Sequence, residues 1–275
     1  MAAVDPHRAR LLIIGGAERR GTSILARFVA LAGGPSARIV VIAAASAHPA
    51  ALETEYVSAF TGLGAGAVQA LRLSSREAAN DPAAEAALAD ATGVFFTGGD
   101  QLRMARIFGG TAAEQRLRTL LANGTVVLAG TSAGAAVLAG TMIVGGDGPG
   151  VTTAAVRTGP GLELLPGVLI DMHFAERGRL NRLLSAVALY PHELGLGIDE
   201  DTAILTDGDR FEVLGSGSVT VVDAGGASEI RVPADGPIAL SGARVHVLPE
   251  GYTFELTGRC ASPIDATAGE RGQGA

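Results

Sequence analysis

Short, near-continuously apolar runs alternate with helix-patterned segments through the first two-thirds of this chain, and that alternation limits what it can fold into. The runs are residues 11–14, 38–43, 68–73, 94–96 and 126–128. Helix patterns fall over residues 22–32, 49–62, 76–91 and within 101–123. Strands that are apolar on both sides belong to a parallel sheet covered on both faces. The expected class is therefore α/β, a mostly parallel sheet with helices on both faces. After Asp199 the pattern changes to short strands at 202–205, 211–214, 219–223, 244–248 and 252–256, parted by turn residues. These read as C-terminal antiparallel β-hairpins that extend the sheet or cap one edge. The chain has 275 residues, which suits one large α/β domain, expected over residues 1–260. From Ala261 onward the residues are small and polar, and a disordered tail is expected over 261–275.

Composition removes several function classes. All 21 basic residues are arginine, so a lysine Schiff base and a Walker-type phosphate loop are excluded. A net charge of −7 argues against general nucleic-acid binding. No run approaches the roughly 18 apolar residues that a spanning helix needs. Residues 1–10 lack a signal-peptide core, so a cytoplasmic, non-membrane protein is expected. Cys260 is the only cysteine, which rules out an intrachain disulfide and a Cys-type zinc site. The histidines at 7, 48, 173, 192 and 246 form no H-x-x-x-H pair, so a zinc hydrolase is not expected and no metal is called for.

Parallel sheets gather ligands at the carboxyl ends of their strands. Three glycine-rich turns fall at such ends: Gly15-Gly16-Ala17-Glu18, Gly98-Gly99-Asp100-Gln101 and Gly130-Thr131-Ser132-Ala133-Gly134. The last is a G-x-S-x-G turn between a buried strand and an apolar helical stretch, which lifts Ser132 above the sheet and aims nearby N–H groups at the same point. The alternative is a small-residue turn that only lets strand and helix pack closely.

A nucleophilic serine needs a base. His173, after the apolar run 168–171, is the first candidate, and His48 the second. The carboxylates of Asp199, Glu200 and Asp201 follow another apolar run and could orient the imidazole. Arg179 and Arg182 stand three apart and are expected to share one helix face. Their forks suit carboxylate recognition. A solvated basic face is the competing reading.

Phe96-Thr97-Gly98-Gly99-Asp100-Gln101, Gly130-Thr131-Ser132-Ala133-Gly134-Ala135, Asp171-Met172-His173-Phe174 with Arg177-Gly178-Arg179-Leu180-Asn181-Arg182-Leu183, and Gly197-Ile198-Asp199-Glu200-Asp201-Thr202-Ala203 together resemble the cyanophycinases. Those are serine peptidases grouped with the aspartyl dipeptidase called peptidase E. Ile14-Gly15-Gly16-Ala17-Glu18 fits the same pattern. The resemblance implies a flavodoxin-like α/β sandwich related to class I glutamine amidotransferases, usually dimeric. It implies a triad of Ser132, His173 and Glu200, and an oxyanion hole at the Gly99 and Ala133 N–H groups. It places Gln101, Asp171, Arg179 and Arg182 along the substrate pocket, with Arg177 beside them. The implied substrate is cyanophycin, a poly-aspartate chain bearing arginine on each β-carboxyl, cut to β-aspartyl-arginine dipeptides without a cofactor. Met172 departs from the family, which carries a glutamine before the histidine. Arg19 and Arg20 depart where acidic and lysine residues are frequent. An aspartyl or isoaspartyl dipeptidase, and a non-catalytic binding protein on the same fold, are the alternatives.

Overall fold

The computed structural model describes residues 10–19, 23–146 and 148–264. A nine-stranded sheet runs through it. Its parallel half is ordered Arg10–Ile14, Val127–Thr131, Gly93–Phe96, Arg38–Ile42 and Ala67–Ala70. Beyond Arg10–Ile14 the sheet continues antiparallel through Thr202–Asp207, Arg210–Gly215, Tyr252–Glu255 and Cys260–Pro263.

Alternating side chains of the parallel strands pack on opposite faces, as the two-residue period of a strand requires. Leu12, Ile14, Ile39, Val41, Phe95 and Val127 meet Ile24, Leu25 and Phe28 of helix Ser23–Leu31, and Tyr56 and Phe60 of helix Pro49–Gly62. Leu11, Ile13, Val40, Ile42, Val94, Phe96 and Leu128 meet Met104, Phe108, Leu117 and Leu121 of helices Gln101–Phe108 and Ala112–Ala122. The expected α/β class is thus the fold.

Three expectations need correction. The alanine-rich helix expected over 76–91 is two short helices, Arg76–Ala79 and Pro82–Leu88. Pro82 cannot continue a helix from its N-terminal side, and Asp81 instead caps the second one, accepting the Ala83 N–H at 2.8 Å. The strands expected at 219–223 and 244–248 to extend the sheet or cap its edge lie instead, outside the serine's sheet, with the strand before His173, Val168–Met172. That strand opens a second sheet, parallel to Leu194–Ile198 and followed by antiparallel Ser218–Asp223 and Arg244–Pro249. An apolar run specifies a strand but not its partner. Finally, Cys260–Pro263 pairs with Tyr252–Glu255, so ordered structure passes the expected boundary at 260. Short edge strands tolerate small residues and proline, which hid this one. The rest of the expected tail, 265–275, lies outside the described residues.

The second sheet is covered on both sides. Val168, Ile170, Leu196, Val219 and Val221 join the core beneath the large sheet. Leu169, Phe174 and Val222 pack against Leu183, Ala186 and Val187 of helix Leu180–Leu189. This sandwich brings the carboxyl end of Val168–Met172 over that of Val127–Thr131. Among the described residues, no helix is long and apolar enough to cross a membrane.

Candidate active site

Ser132 stands at the carboxyl end of the strand Val127–Thr131 and directly before the short helix Ala133–Ala136. Its backbone, φ 52 and ψ −115, is in a region that a side chain with a Cβ disfavours. The flanking glycines serve a different need, which is close approach. A Cβ on Gly130 would lie 2.2 Å from the Gly134 carbonyl oxygen, and one on Gly134 would lie 2.4 Å from that of Phe96. Strand and helix are pressed together on glycine, and the strain falls on the serine.

The Ser132 hydroxyl lies 2.9 Å from His173 Nε2, and His173 Nδ1 lies 2.6 Å from Glu200 Oε1. A carboxylate can only accept, so Nδ1 carries the proton and Nε2 is left to accept from the serine. The histidine side chain is 13% exposed and the glutamate 36%. Asp199 and Asp201 are turned elsewhere. Asp199 accepts from the Ala175 and Ser218 N–H groups and the Ser218 hydroxyl. Asp201 holds Arg19. Of the three adjacent carboxylates, Glu200 is the one bonded to His173. Its own N–H donates to both carboxylate oxygens of Glu176 at 3.2 Å. His48, the second choice for a base, instead precedes helix Pro49–Gly62, and its N–H donates to Ser46 Oγ.

Three consecutive carbonyls unite these segments. Ile14 O accepts from the Ser132 N–H at 3.0 Å, Gly15 O from His173 at 2.8 Å, and Gly16 O from Asp201 at 2.9 Å. The Gly-Gly turn after the first strand therefore holds all three segments of the proposed triad. Ala17, Ser132, His173 and Asp201 all have φ near +50°. Such strain persists only where the surroundings over-determine it, and it clusters at functional sites.

Gly99 adopts φ +143, and a Cβ there would lie 2.3 Å from the Ala45 carbonyl oxygen. The Asp100 N–H donates to that same oxygen. No backbone carbonyl among the described residues accepts from the Gly99 or Ala133 N–H. Ala133 is the first residue of its helix, where N–H groups lack intrahelical partners.

The expected substrate contacts divide. Gln101 opens helix Gln101–Phe108 half-buried, and its Nε2 donates to the Ile143 carbonyl at 2.8 Å. Arg177 is exposed. Arg179 is the N-cap of helix Leu180–Leu189, and Arg182 lies in its first turn. Both guanidiniums turn to Asp171, which is fully buried. Arg182 Nε donates to Oδ2 at 2.8 Å and Nη2 to Oδ1, while Arg179 donates to Oδ1 at 3.4 Å and to the Met172 carbonyl. Asp171 and Arg182 thus form a buried ion pair. The physical reason is that a buried carboxylate captures the nearest fork. Met172 packs its side chain into the apolar core.

Sequence reasoning passed over Glu18, Tyr56, Thr131 and Glu176 as individual residues. The one available signal was a charged residue, Glu18, two places after a Gly-Gly pair. Among the described residues, no group of three or more His, Cys, Asp or Glu side chains is placed to hold a metal.

A family model for peptidase family S51 matches residues 11–214. The chain is 40% identical over 263 residues to a cyanophycinase of Nostoc sp., covering 93% of this chain and 88% of that one. It is 41% identical over 254 residues to a cyanophycinase of Geminocystis herdmanii, covering 90% and 93% respectively. In shape it resembles the crystal structure of a peptidase from an acI-B1 Actinobacterium, with TM-score 0.64 and 19% identity over 89% of this chain and 99% of that one. That likeness bears on the fold alone.

Proposed function

We propose that this chain, which belongs to peptidase family S51 and is a serine peptidase, degrades cyanophycin to β-aspartyl-arginine dipeptides through an acyl-enzyme on Ser132. The observation that carries the reading is the continuous chain from Ser132 Oγ through His173 to Glu200 Oε1. Relatives named cyanophycinase support the substrate.

In this mechanism Ser132 Oγ attacks the scissile carbonyl as His173 Nε2 takes its proton. The Gly99 and Ala133 N–H groups donate to the oxyanion, fixed in place before charge develops there. Collapse breaks the C–N bond, and His173 returns the proton to the leaving amine. Water then attacks the ester with His173 again as base, releasing the acid and restoring the serine. Glu200 holds Nδ1–H and stabilises the imidazolium. Gln101, Arg177 and Arg179 are the proposed substrate-facing side chains, with Asp171, itself paired to Arg182, anchoring Arg179. No metal or cofactor enters any step. The family resemblance adds a homodimer, which light scattering would test, and the cytoplasmic location expected from residues 1–10 would be tested by cell fractionation.

A second reading, an aspartyl or isoaspartyl dipeptidase, is favoured by Met172, whose thioether side chain is buried and supplies no polar contact where the family carries a glutamine. Assay of the purified protein on cyanophycin and on short aspartyl dipeptides separates the two. Release of β-aspartyl-arginine from the polymer, abolished in Ser132→Ala, is the expected result. Cleavage of dipeptides with an untouched polymer would move the assignment to the second reading. A folded Ser132→Ala variant with near-normal turnover would remove the serine mechanism.

A further inference from the structure

We propose that Glu18 is a positioning residue for the nucleophile, tying the Thr131–Ser132 turn to the aromatic core through Tyr56. The inference rests on the reading of Ser132 as the nucleophile. Glu18 is 4% exposed, an unusual place for a carboxylate unless it is fully engaged. The Tyr56 hydroxyl donates to its Oε1 at 2.5 Å and the Thr131 hydroxyl to its Oε2 at 2.5 Å. With one hydroxyl on each oxygen, the carboxylate is the common acceptor of two short, charge-assisted bonds.

The two donors differ in what they are fixed to. The Tyr56 ring lies 4.6 Å from Phe95 and 5.9 Å from Phe60, and both of those rings also contact Phe28. Tyr56, Phe28, Phe60 and Phe95 are all buried, so the Tyr56 end cannot move without repacking the core. The Thr131 end is joined by one peptide bond to Ser132, which holds φ 52. A rotation at Thr131 would turn that peptide plane and swing Oγ away from His173 Nε2. Glu18 thus carries the rigidity of the core to a strained backbone position. It does so from the segment whose carbonyls also hold His173 and Asp201.

A purely structural role would affect stability, whereas a positioning role affects kcat. Steady-state kinetics on cyanophycin and thermal unfolding of Glu18→Gln, Thr131→Val, Thr131→Ser and Ser132→Ala separate the two. A Glu18→Gln amide cannot accept from both hydroxyls, and Thr131→Val removes one of them. Each should lower kcat by about 10²-fold, the scale of a nucleophile misplaced by about 1 Å, with KM unchanged. Thr131→Ser retains the hydroxyl and should keep the wild-type kcat. The Glu18→Gln, Thr131→Val double variant should be no slower than either single one, because both remove the same link. Wild-type kcat in the folded single variants, fully additive losses, or an equal loss in Thr131→Ser would overturn the proposal. If Glu18→Gln fails to fold, the Thr131→Val and Thr131→Ser pair decides. Turnover retained by Ser132→Ala would instead overturn the nucleophile reading itself, whatever Glu18 does.

Discussion

Gly16 lies against the imidazole of His173. A Cβ built on Gly16 would sit 2.3 Å from the ring Cε1 and 2.6 Å from Nε2. The adjacent Gly15 is also closed, but by backbone: a Cβ there would sit 2.1 Å from the Asp199 carbonyl oxygen. One glycine makes room for the proposed base, and the other for the join between the two sheets.

Gly16→Ala should therefore act on catalysis first. The imidazole end of a side chain can yield where a backbone cannot, so the ring shifts off the Ser132 line. A fall in kcat of about 10²-fold is expected, with a modest loss of stability from φ +107. Gly15→Ala should lower the unfolding temperature more than Gly16→Ala does. Comparing kcat and unfolding temperature for the two variants checks the contrast, and an inverted order would contradict it.

Glu200→Gln should retain the fold and lose activity. An amide NH2 pointing at Nδ1 favours the tautomer with the proton on Nε2, which cannot accept from Ser132. The loss expected from a wrong tautomer in a triad is about 10⁴-fold in kcat. Because Glu200 is 36% exposed, thermal unfolding should barely change. Measured kcat within a few-fold of wild type would exclude Glu200 as the orienting group.

The Asp171–Arg182 pair should prove structural as well as functional. Both side chains are at least nine-tenths buried, and removing one partner leaves the other charge uncompensated. Such breaks cost about 3–5 kcal/mol. Asp171→Asn and Arg182→Leu should each show that scale of loss in chemical denaturation. Arg182→Lys should also destabilise, because an ammonium cannot reproduce the two-pronged contact. Unchanged denaturation midpoints in all three variants would show that the pair does not hold the fold.

Acid stability should depend on Asp223. Burial pushes its carboxyl up, but the Gly225 N–H with Arg259 and Arg244 outweighs that and holds it below its ordinary value. A carboxylate lowered in the fold stabilises it fully above the unfolded-state value, and that stabilisation fades as pH falls toward the folded one. Asp223→Asn should lose stability at neutral pH and show a flatter acid limb than wild type. Unfolding midpoints measured from neutral pH down through the carboxylate range would show parallel curves if Asp223 plays no part.

The α/β class, the serine turn and the order of the motifs were legible in the amino-acid sequence because each is local. An apolar run of strand length, a proline-initiated helix such as Pro49–Gly62, and a G-x-S-x-G turn are each set by neighbours within a few residues. Only the tertiary structure decided which strands pair. Val168–Met172 reads like any buried strand, yet it belongs to a second sheet. Local pattern leaves Asp199, Glu200 and Asp201 equivalent, and it took the family resemblance to point to Glu200, the one that the folded chain brings to His173, because that choice turns on side-chain direction at a strand end. The fate of the arginines was hidden for the same reason. Charge and spacing told of two cationic forks, but Asp171, buried between them, determined where they point. Long-range burial selects partners among groups that are locally equivalent, and residues such as Glu18 and Thr131, 113 apart in sequence, meet only when the chain has folded.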